Sequence, residues 1–438
     1  MEIDKTTYDD LAIFNGEEES SVFSKLNFTQ TLGGRDWLFR FFQEPFNTIQ
    51  QITDTQKILS LILKYENEWP ASITNGTVMV IEKFYETPLD PMPHGANIVN
   101  AYSYKFLHAA DYSLIKYSSS HFADFARGMN KLLELAGDDE CPPLLVSMLR
   151  RVKFLLSHDV IQSMIEKKPG TSFSVSQIGY YGFYLQNNFK NHALELIEIY
   201  SKLDAWYSMA IATKKFQFTF PVFSNQPKPI VNSKGLYHIL LHTPVAYNVQ
   251  MDEQNNFLFL TGANMAGKST FIKAVGIAVF LAHLGMGVPA QEMELSLFNG
   301  ILSNINVVDN IAKGESYFFN EVQRIKNTIL KINNENKWLV LIDELFKGTN
   351  VQDAMKCSST VIEGLIKIKN SVFILSTHLY EIAEELKRHP NISFKFFETS
   401  VKDDQLEFSY QLKDGISNDR LGYLILKREK VVEMLDSL

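Results

Sequence analysis

Apolar residues recur at three- and four-residue intervals through much of the first 230 residues. Trp37–Gln43, Thr55–Tyr65, Lys131–Leu135, Leu144–Leu156 and Ala193–Ala212 each have the spacing of a helix with one buried face. Glycine and proline predict breaks at Gly33-Gly34, Pro88–Gly95, Gly137–Pro143 and Pro169-Gly170. Pro221, Pro227 and Pro229 interrupt Phe218–Ile230, and there the pattern changes. From Ile239 onward short β-rich runs alternate with helical ones: Phe257–Leu260, Trp338–Ile342, Ser371–Leu375, Ile392–Thr399 and Glu407–Lys413. Alternation of this kind predicts a mainly parallel sheet with crossover helices. The fold class expected is α plus α/β: a helical domain over 1–230, then an α/β domain over 231–438 ending in a short C-terminal helix.

Composition narrows the class. At 438 residues, two or three domains are expected. The net charge is −8, and residues 1–230 hold 21 Lys+Arg against 26 Asp+Glu, a net of −5. No global basic field draws the chain to nucleic acid, so any such contact must come from a local patch. The 32 Phe and 18 Tyr are scattered in the manner of core residues. Cys141 and Cys357 lie far apart without metal-ligand spacing, which argues against a disulfide framework and suits a reducing cytoplasm. The N-terminus MEIDKTTYDD is acidic where a signal peptide is basic and then apolar. Phe271–Leu284 is the greasiest long run, but it carries Lys273 and His283 and is too short to span a bilayer. A cytoplasmic protein with no membrane partner is expected. The acidic triplet Glu17–Glu19 reads as a solvated face.

The chemistry concentrates after residue 256. Gly262-Ala263-Asn264-Met265-Ala266-Gly267-Lys268-Ser269-Thr270 follows an apolar strand and opens a helical run, the G-x-x-x-x-G-K-S context of a phosphate-binding loop. Two glycines let successive N–H groups point at one phosphate, the Lys268 amine reaches the β- and γ-phosphates, and the Ser269 hydroxyl ligates Mg²⁺. About 75 residues on, Leu339–Ile342 ends in Asp343 and Glu344, at the strand end where ligands bind in parallel sheets. Asp343 is the candidate for Mg²⁺ and Glu344 for orienting and deprotonating the attacking water. The plain alternative is a strand ending in a solvated turn. Val372–Leu375 ends in Ser376-Thr377-His378, which puts His378 where a γ-phosphate sensor would stand. Between these strands, Ser316 in DNIAKGESYFFNEV reads equally as an anion-binding helix start or as the N-cap of a surface helix.

TGANMAGKST, the Val288–Ala290 VPA, DNIAKGESYFFNEV, LVLIDELFKGTN and STHLYEIAEEL resemble, in order and spacing, the motifs of the MutS family of DNA mismatch-repair ATPases. The likeness is strong over Gly235–Gly422 and weaker over 1–230, where Thr29, Thr31, Gly34, Arg35, Leu38 and Pro45 resemble the family's opening motif. It implies an ABC-like P-loop ATPase domain behind a helical core and lever, with ATP and Mg²⁺ as cofactors. Lys268 and Ser269 would hold phosphate and Mg²⁺, Asp343 Mg²⁺, Glu344 the base role and His378 the switch role. Ser316 would act in trans on the γ-phosphate of a partner in a homodimer with composite sites. Gly348-Thr349-Asn350 and Asp353 would run along that interface, and His238 and Val245–Asn248 would wall the adenine pocket.

The sequence also departs from the family. Ala263 and Ala266 stand where Pro and Gly are usual, Tyr317 where Thr is, and Phe346-Lys347 where Gly-Arg are, which sets a large ring beside the catalytic acid. The chain resembles a short form without the mismatch-recognition and connector domains, so wedging of a Phe-x-Glu motif is not expected. The function implied is a Mg²⁺-dependent, dimeric ATPase clamp on mismatched or structured DNA, in repair or recombination with a repair-protein partner. An ATP-gated protein scaffold without direct DNA binding is the alternative. A transporter or chromosome-organising ATPase is disfavoured because LSGGQ is absent ahead of Asp343.

Overall fold

The computed structural model describes residues 1–14, 21–92, 97–263, 265–306, 317–402, 405–417 and 430–436. Glu17–Glu19 lie outside them. Two compact units divide the chain. One is formed by Leu26–Gln43 and Thr53–Lys214, the other by Met1–Lys25, Glu44–Ile52 and Lys215–Leu438.

The first unit is helical. Its longer helices include Leu32–Gln43, Asn75–Glu86, Ala109–Lys131, Pro143–Leu156 and Lys190–Lys215. Side chains of Trp206, Tyr200, Phe122 and Phe125 fill its core. Capping boxes start two of its helices: Thr74 with Thr77, and Ser174 with Gln177. Gly33-Gly34, expected as a break, lies instead inside Leu32–Gln43. The glycines serve close approach: a Cβ on Gly34 would stand 2.1 Å from Asp204 Oδ2, and one on Gly33 2.3 Å from Ser201 Oγ. Asp204 is fully buried and accepts bonds from the N–H groups of Gln30 and Thr31 and from the Thr31 hydroxyl at 2.7–3.0 Å. Burial pushes its carboxyl upward, and those hydrogen bonds oppose the shift.

The second unit is built on a seven-stranded sheet and a smaller four-stranded one. Its strands in chain order are β1 (Glu2–Ile3), β2 (Val222–Ser224), β3 (Val231–Leu236), β4 (Tyr247–Met251), β5 (Phe257–Thr261), β6 (Glu292–Ser296), β7 (Gly300–Asn304), β8 (Trp338–Asp343), β9 (Ser371–Ser376), β10 (Ile392–Lys402) and β11 (Gln405–Asp414). The large sheet runs β1-β7-β8-β9-β5-β10-β11, parallel except for the antiparallel β10–β11 pair. A second sheet, β2-β6-β3-β4, is mostly antiparallel. Strands β5, β8 and β9 are buried along their whole length, as expected of parallel strands covered on both faces. The helix Lys268–His283 is buried at nearly every position from Phe271 on, which marks an interior helix rather than an amphipathic one.

His283 closes that helix and is fully buried. Its Nδ1–H donates to Val279 O at 2.9 Å, and its Nε2 accepts from Phe298 N at 3.0 Å. That pattern fits the neutral ring, and burial lowers its pKa to about 4. The first residues of the chain belong to this unit. Strand β1 pairs with β7, and the helix Lys5–Asp10, capped by Asp4, ends in a buried carboxylate. Asp10 accepts from Ser303 Oγ at 2.5 Å, Ile305 N at 3.0 Å and Asn306 N at 3.0 Å. Among the described residues no helix is long and apolar enough to cross a membrane.

Candidate functional site

The phosphate loop lies between β5 and the helix Lys268–His283. Gly262 (φ 133°), Met265 (φ 70°) and Gly267 (φ 109°) have positive φ, the curl that turns backbone N–H groups inward. Gly262 also passes close to β10, where an added Cβ would be 3.2 Å from Phe397 O. Lys268 is 5 % exposed, and its amine donates to Gly262 O at 2.9 Å and Ala263 O at 3.0 Å. Burial lowers its pKa, and Glu344 and Asp343 partly restore it. Asn264 lies outside the described residues.

Register brings the remaining groups together. Asp343, the last residue of β8, pairs with Ser376, the last of β9. Ser376 Oγ donates to Asp343 Oδ1 and Ser269 Oγ to Asp343 Oδ2, so hydroxyls from two elements fix the carboxylate. Glu344 follows in the left-handed region (φ 60°), and its N–H donates to Ser376 O at 2.9 Å. Its Oε2 stands 3.8 Å from His378 Nδ1 and 3.2 Å from Lys347 Nζ. The His378 imidazole and the Lys347 ammonium overcome burial and hold the Glu344 carboxyl at about 2.

Lys268, Ser269, Asp343, Glu344 and Lys347 open on one cavity of about 640 Å³, whose lining does not include Ser376 or His378. Met265, Gly267, Lys268, Ser269, Thr270, Asp343, Glu344 and Lys347 line its charged end, while Leu241, Thr243, Val245, Tyr247 and Tyr410 line the other. Tyr247 is backed edge-on by Phe271 and Phe397, with ring centroids 5.3 and 5.8 Å away. Sequence reasoning missed Leu241, Thr243 and Tyr410: the first two lie in irregular chain, and Tyr410 joins the site only through the β10–β11 hairpin.

Several expected residues stand elsewhere. Asn248 is not among the lining residues, because the two-residue period of β4 turns it to the face opposite Tyr247, where its Oδ1 accepts from Gly235 N at 3.0 Å. His238 is buried off the cavity, its Nδ1 accepting from Leu240 N at 3.3 Å, and burial with nearby Lys273 and Lys25 lowers its pKa to about 4. Phe346 does not set its ring beside Glu344. The ring is buried against Phe318 with centroids 5.6 Å apart, and Lys347 is the side chain that meets the carboxylate. Asn350 caps the helix Val351–Leu365 by accepting from Asp353 N at 3.0 Å. Ser316 and the Tyr317 side chain lie outside the described residues.

The family model for MutS domain V matches residues 258–434. The DNA mismatch repair protein MutS of Thermotoga maritima is 32% identical over 242 residues, which cover 54% of this chain and 30% of that protein. Residues 258–434 are thus similar to MutS domain V. MutS proteins of Pseudothermotoga lettingae and Leuconostoc citreum are each 32% identical, over 231 and 230 residues, covering 52% and 51% of this chain. In each case the match spans less than a third of the MutS relative, 28% and 26% in these two. The MutS domain V match takes in the phosphate loop, Asp343, Glu344, His378 and Tyr410.

Proposed function

We propose that this protein is a MutS-like, cytoplasmic Mg²⁺-dependent ATPase that dimerises through its nucleotide domains and grips double-stranded or structured DNA in repair or recombination. One observation carries the reading: a buried amine, a hydroxyl–carboxylate pair and a second carboxylate, with Lys347 3.2 Å and His378 3.8 Å from it, converge at one cavity. The donor set fits MgATP. Lys268 would exchange two loop carbonyls for phosphate oxygens, and Ser269 with Asp343 are hard oxygen ligands already in contact. Mg²⁺, when bound, neutralises charge on the phosphates. Tyr410, Tyr247 and Val245 offer the base an aromatic and apolar wall.

Glu344 lines the cavity beside Asp343 and Ser269, placed to orient a water and accept its proton. Lys347, which lines the cavity, would meet a γ-phosphate placed at the loop, and His378, 3.8 Å from Glu344, would serve as its sensor. Ser316 would complete the partner's site in trans, the helical unit would serve as lever, and a repair protein would receive the signal.

The test is binding of duplex, mismatched and branched DNA by the Glu344→Gln variant, with and without MgATP, over a salt series. This variant should hold ATP and trap the dimer. Binding that requires ATP and falls roughly 10³- to 10⁵-fold between about 50 and 200 mM salt supports a clamp contacting six to ten phosphates. The net charge of −5 over residues 1–230 favours a second reading, an ATP-gated protein scaffold. A variant that dimerises on ATP yet binds no DNA would establish that reading instead.

A further inference from the structure

We infer that Glu321 is a positioning residue for the hydrolytic carboxylate: it holds the turn after β8 in the shape that aims Glu344 into the nucleotide cavity. This rests on the ATPase reading above. Glu321 lies on the helix Tyr317–Ile332 and is only 4 % exposed. A carboxylate so buried must be hydrogen-bonded to be tolerated. Its oxygens accept from the backbone N–H groups of Lys347 at 3.2 Å and Gly348 at 3.3 Å.

The turn it grips is strained. Glu344 (φ 60°) and Phe346 (φ 58°) are both non-glycine residues in the left-handed region, two positions apart. Such backbone persists only where its surroundings over-determine it. At the start, Glu344 N is tied to Ser376 O. In the middle, the Phe346 ring is packed on Phe318. At the end, Glu321 ties down two successive amides. Phe318 and Glu321 are three residues apart on one helix, so a single helix face supplies both the ring contact and the carboxylate. The turn sends Glu344 to the cavity, Phe346 to the core, and the Lys347 amine back to 3.2 Å from Glu344 Oε2. Without Glu321, the amides of Lys347 and Gly348 lose their shared acceptor and the carboxylate loses its aim, while the phosphate loop keeps its own contacts.

The experiment compares ATP affinity and turnover of the full chain with those of Glu321→Ala, Glu321→Gln and Glu344→Gln. For Glu321→Ala, kcat should fall roughly 10- to 100-fold, the effect of displacing a reacting group by about 1 Å, with ATP Kd within about twofold. Glu321→Gln should be intermediate, since its amide oxygen can accept one N–H of the two. A pH profile separates this role from plain structural support. Burial raises the Glu321 carboxyl above its ordinary value, with the hydrogen bonds from Lys347 and Gly348 and the Lys347 charge opposing. Wild-type kcat should therefore fall on the acid side as Glu321 takes up a proton, and Glu321→Gln should lack that limb. Wild-type turnover in Glu321→Ala, or equal loss of affinity and turnover, overturns the inference. If Glu321→Ala does not fold, the rate and acid limb of Glu321→Gln decide. A wild-type protein that binds but never hydrolyses ATP defeats the ATPase reading itself. An inactive Glu344→Gln beside fully active Glu321 variants defeats only the role given to Glu321.

Discussion

Replacing Asp10 by alanine should destabilise the α/β unit more than most single changes in it. The carboxylate is 2 % exposed and accepts three hydrogen bonds, two of them from the backbone amides of Ile305 and Asn306 at the end of β7. Hydrogen bonds to a charged group contribute about 1.5–3 kcal/mol each, and a buried amide left without an acceptor costs about 1–3 kcal/mol. The Ser303 hydroxyl can rotate to another acceptor, but the two amides cannot. The loss expected for Asp10→Ala is therefore about 3–5 kcal/mol. Asp10→Asn keeps one acceptor oxygen and turns its NH₂ toward a donor, so it should lose about half as much. Hydrogen exchange followed by mass spectrometry or NMR reads the effect site by site. Exchange at Ile305 and Asn306 should accelerate roughly 100-fold or more in Asp10→Ala, since about 1.4 kcal/mol corresponds to a factor of ten. The β8 amides Trp338–Asp343 should follow if the unit opens cooperatively. A change below about 1 kcal/mol, with Ile305 and Asn306 still protected, would refute the view that the first residues are an integral part of this unit.

Gly34→Ala puts a methyl group 2.1 Å from Asp204 Oδ2 in the buried heart of the helical unit, and overpacking should lower stability by about 1–3 kcal/mol despite the gain in helix propensity; a thermal midpoint no lower than wild type would count against it. His238 and His283 are both held near pKa 4 by burial, so below about pH 6.5 the unfolded chain binds protons that the folded one refuses. Stability should fall with acid by about 1.4 kcal/mol per pH unit for each ring between roughly pH 6.5 and 4, and the urea midpoint of His283→Gln should lose one ring's share of that slope.

Much of the large sheet is legible in the sequence because its central strands are covered on both faces and read as unbroken apolar runs, as at Phe257–Thr261, Trp338–Asp343 and Ser371–Ser376. The same logic exposes the chemistry, since the polar residues that end such runs, Asp343 and Ser376, stand out against them. The small sheet does not announce itself. Val231–Leu236 carries Asn, Ser, Lys and Gly, and Tyr247–Met251 alternates buried and exposed positions, so neither has the β-rich composition of a core strand. The pairing of Asp10 with Ile305 and Asn306 spans almost 300 positions, and no local pattern encodes it. Gly33-Gly34 misleads because glycine signals both a turn and a close approach, and only the opposing Asp204 tells them apart. Phe346 misleads for a related reason: its nearness to Glu344 in sequence says nothing of direction once two left-handed residues reverse the chain.

The resting contacts of Lys268 set a threshold for selectivity. Its ammonium is nearly sealed from water and already satisfied by two carbonyl oxygens of its own loop. An incoming anion gains only the difference between its own oxygens and those carbonyls. Acetate or chloride, with one charge and few acceptors, has little advantage over them. On the proposed reading a triphosphate would engage the amine, the Ser269 hydroxyl and the curled backbone together, and its greater charge would win the exchange. The loop would thus discriminate by counting negative charge before any contact with the base is made, and because the amine is buried, added salt should blunt that discrimination far less than it weakens contacts on the open surface.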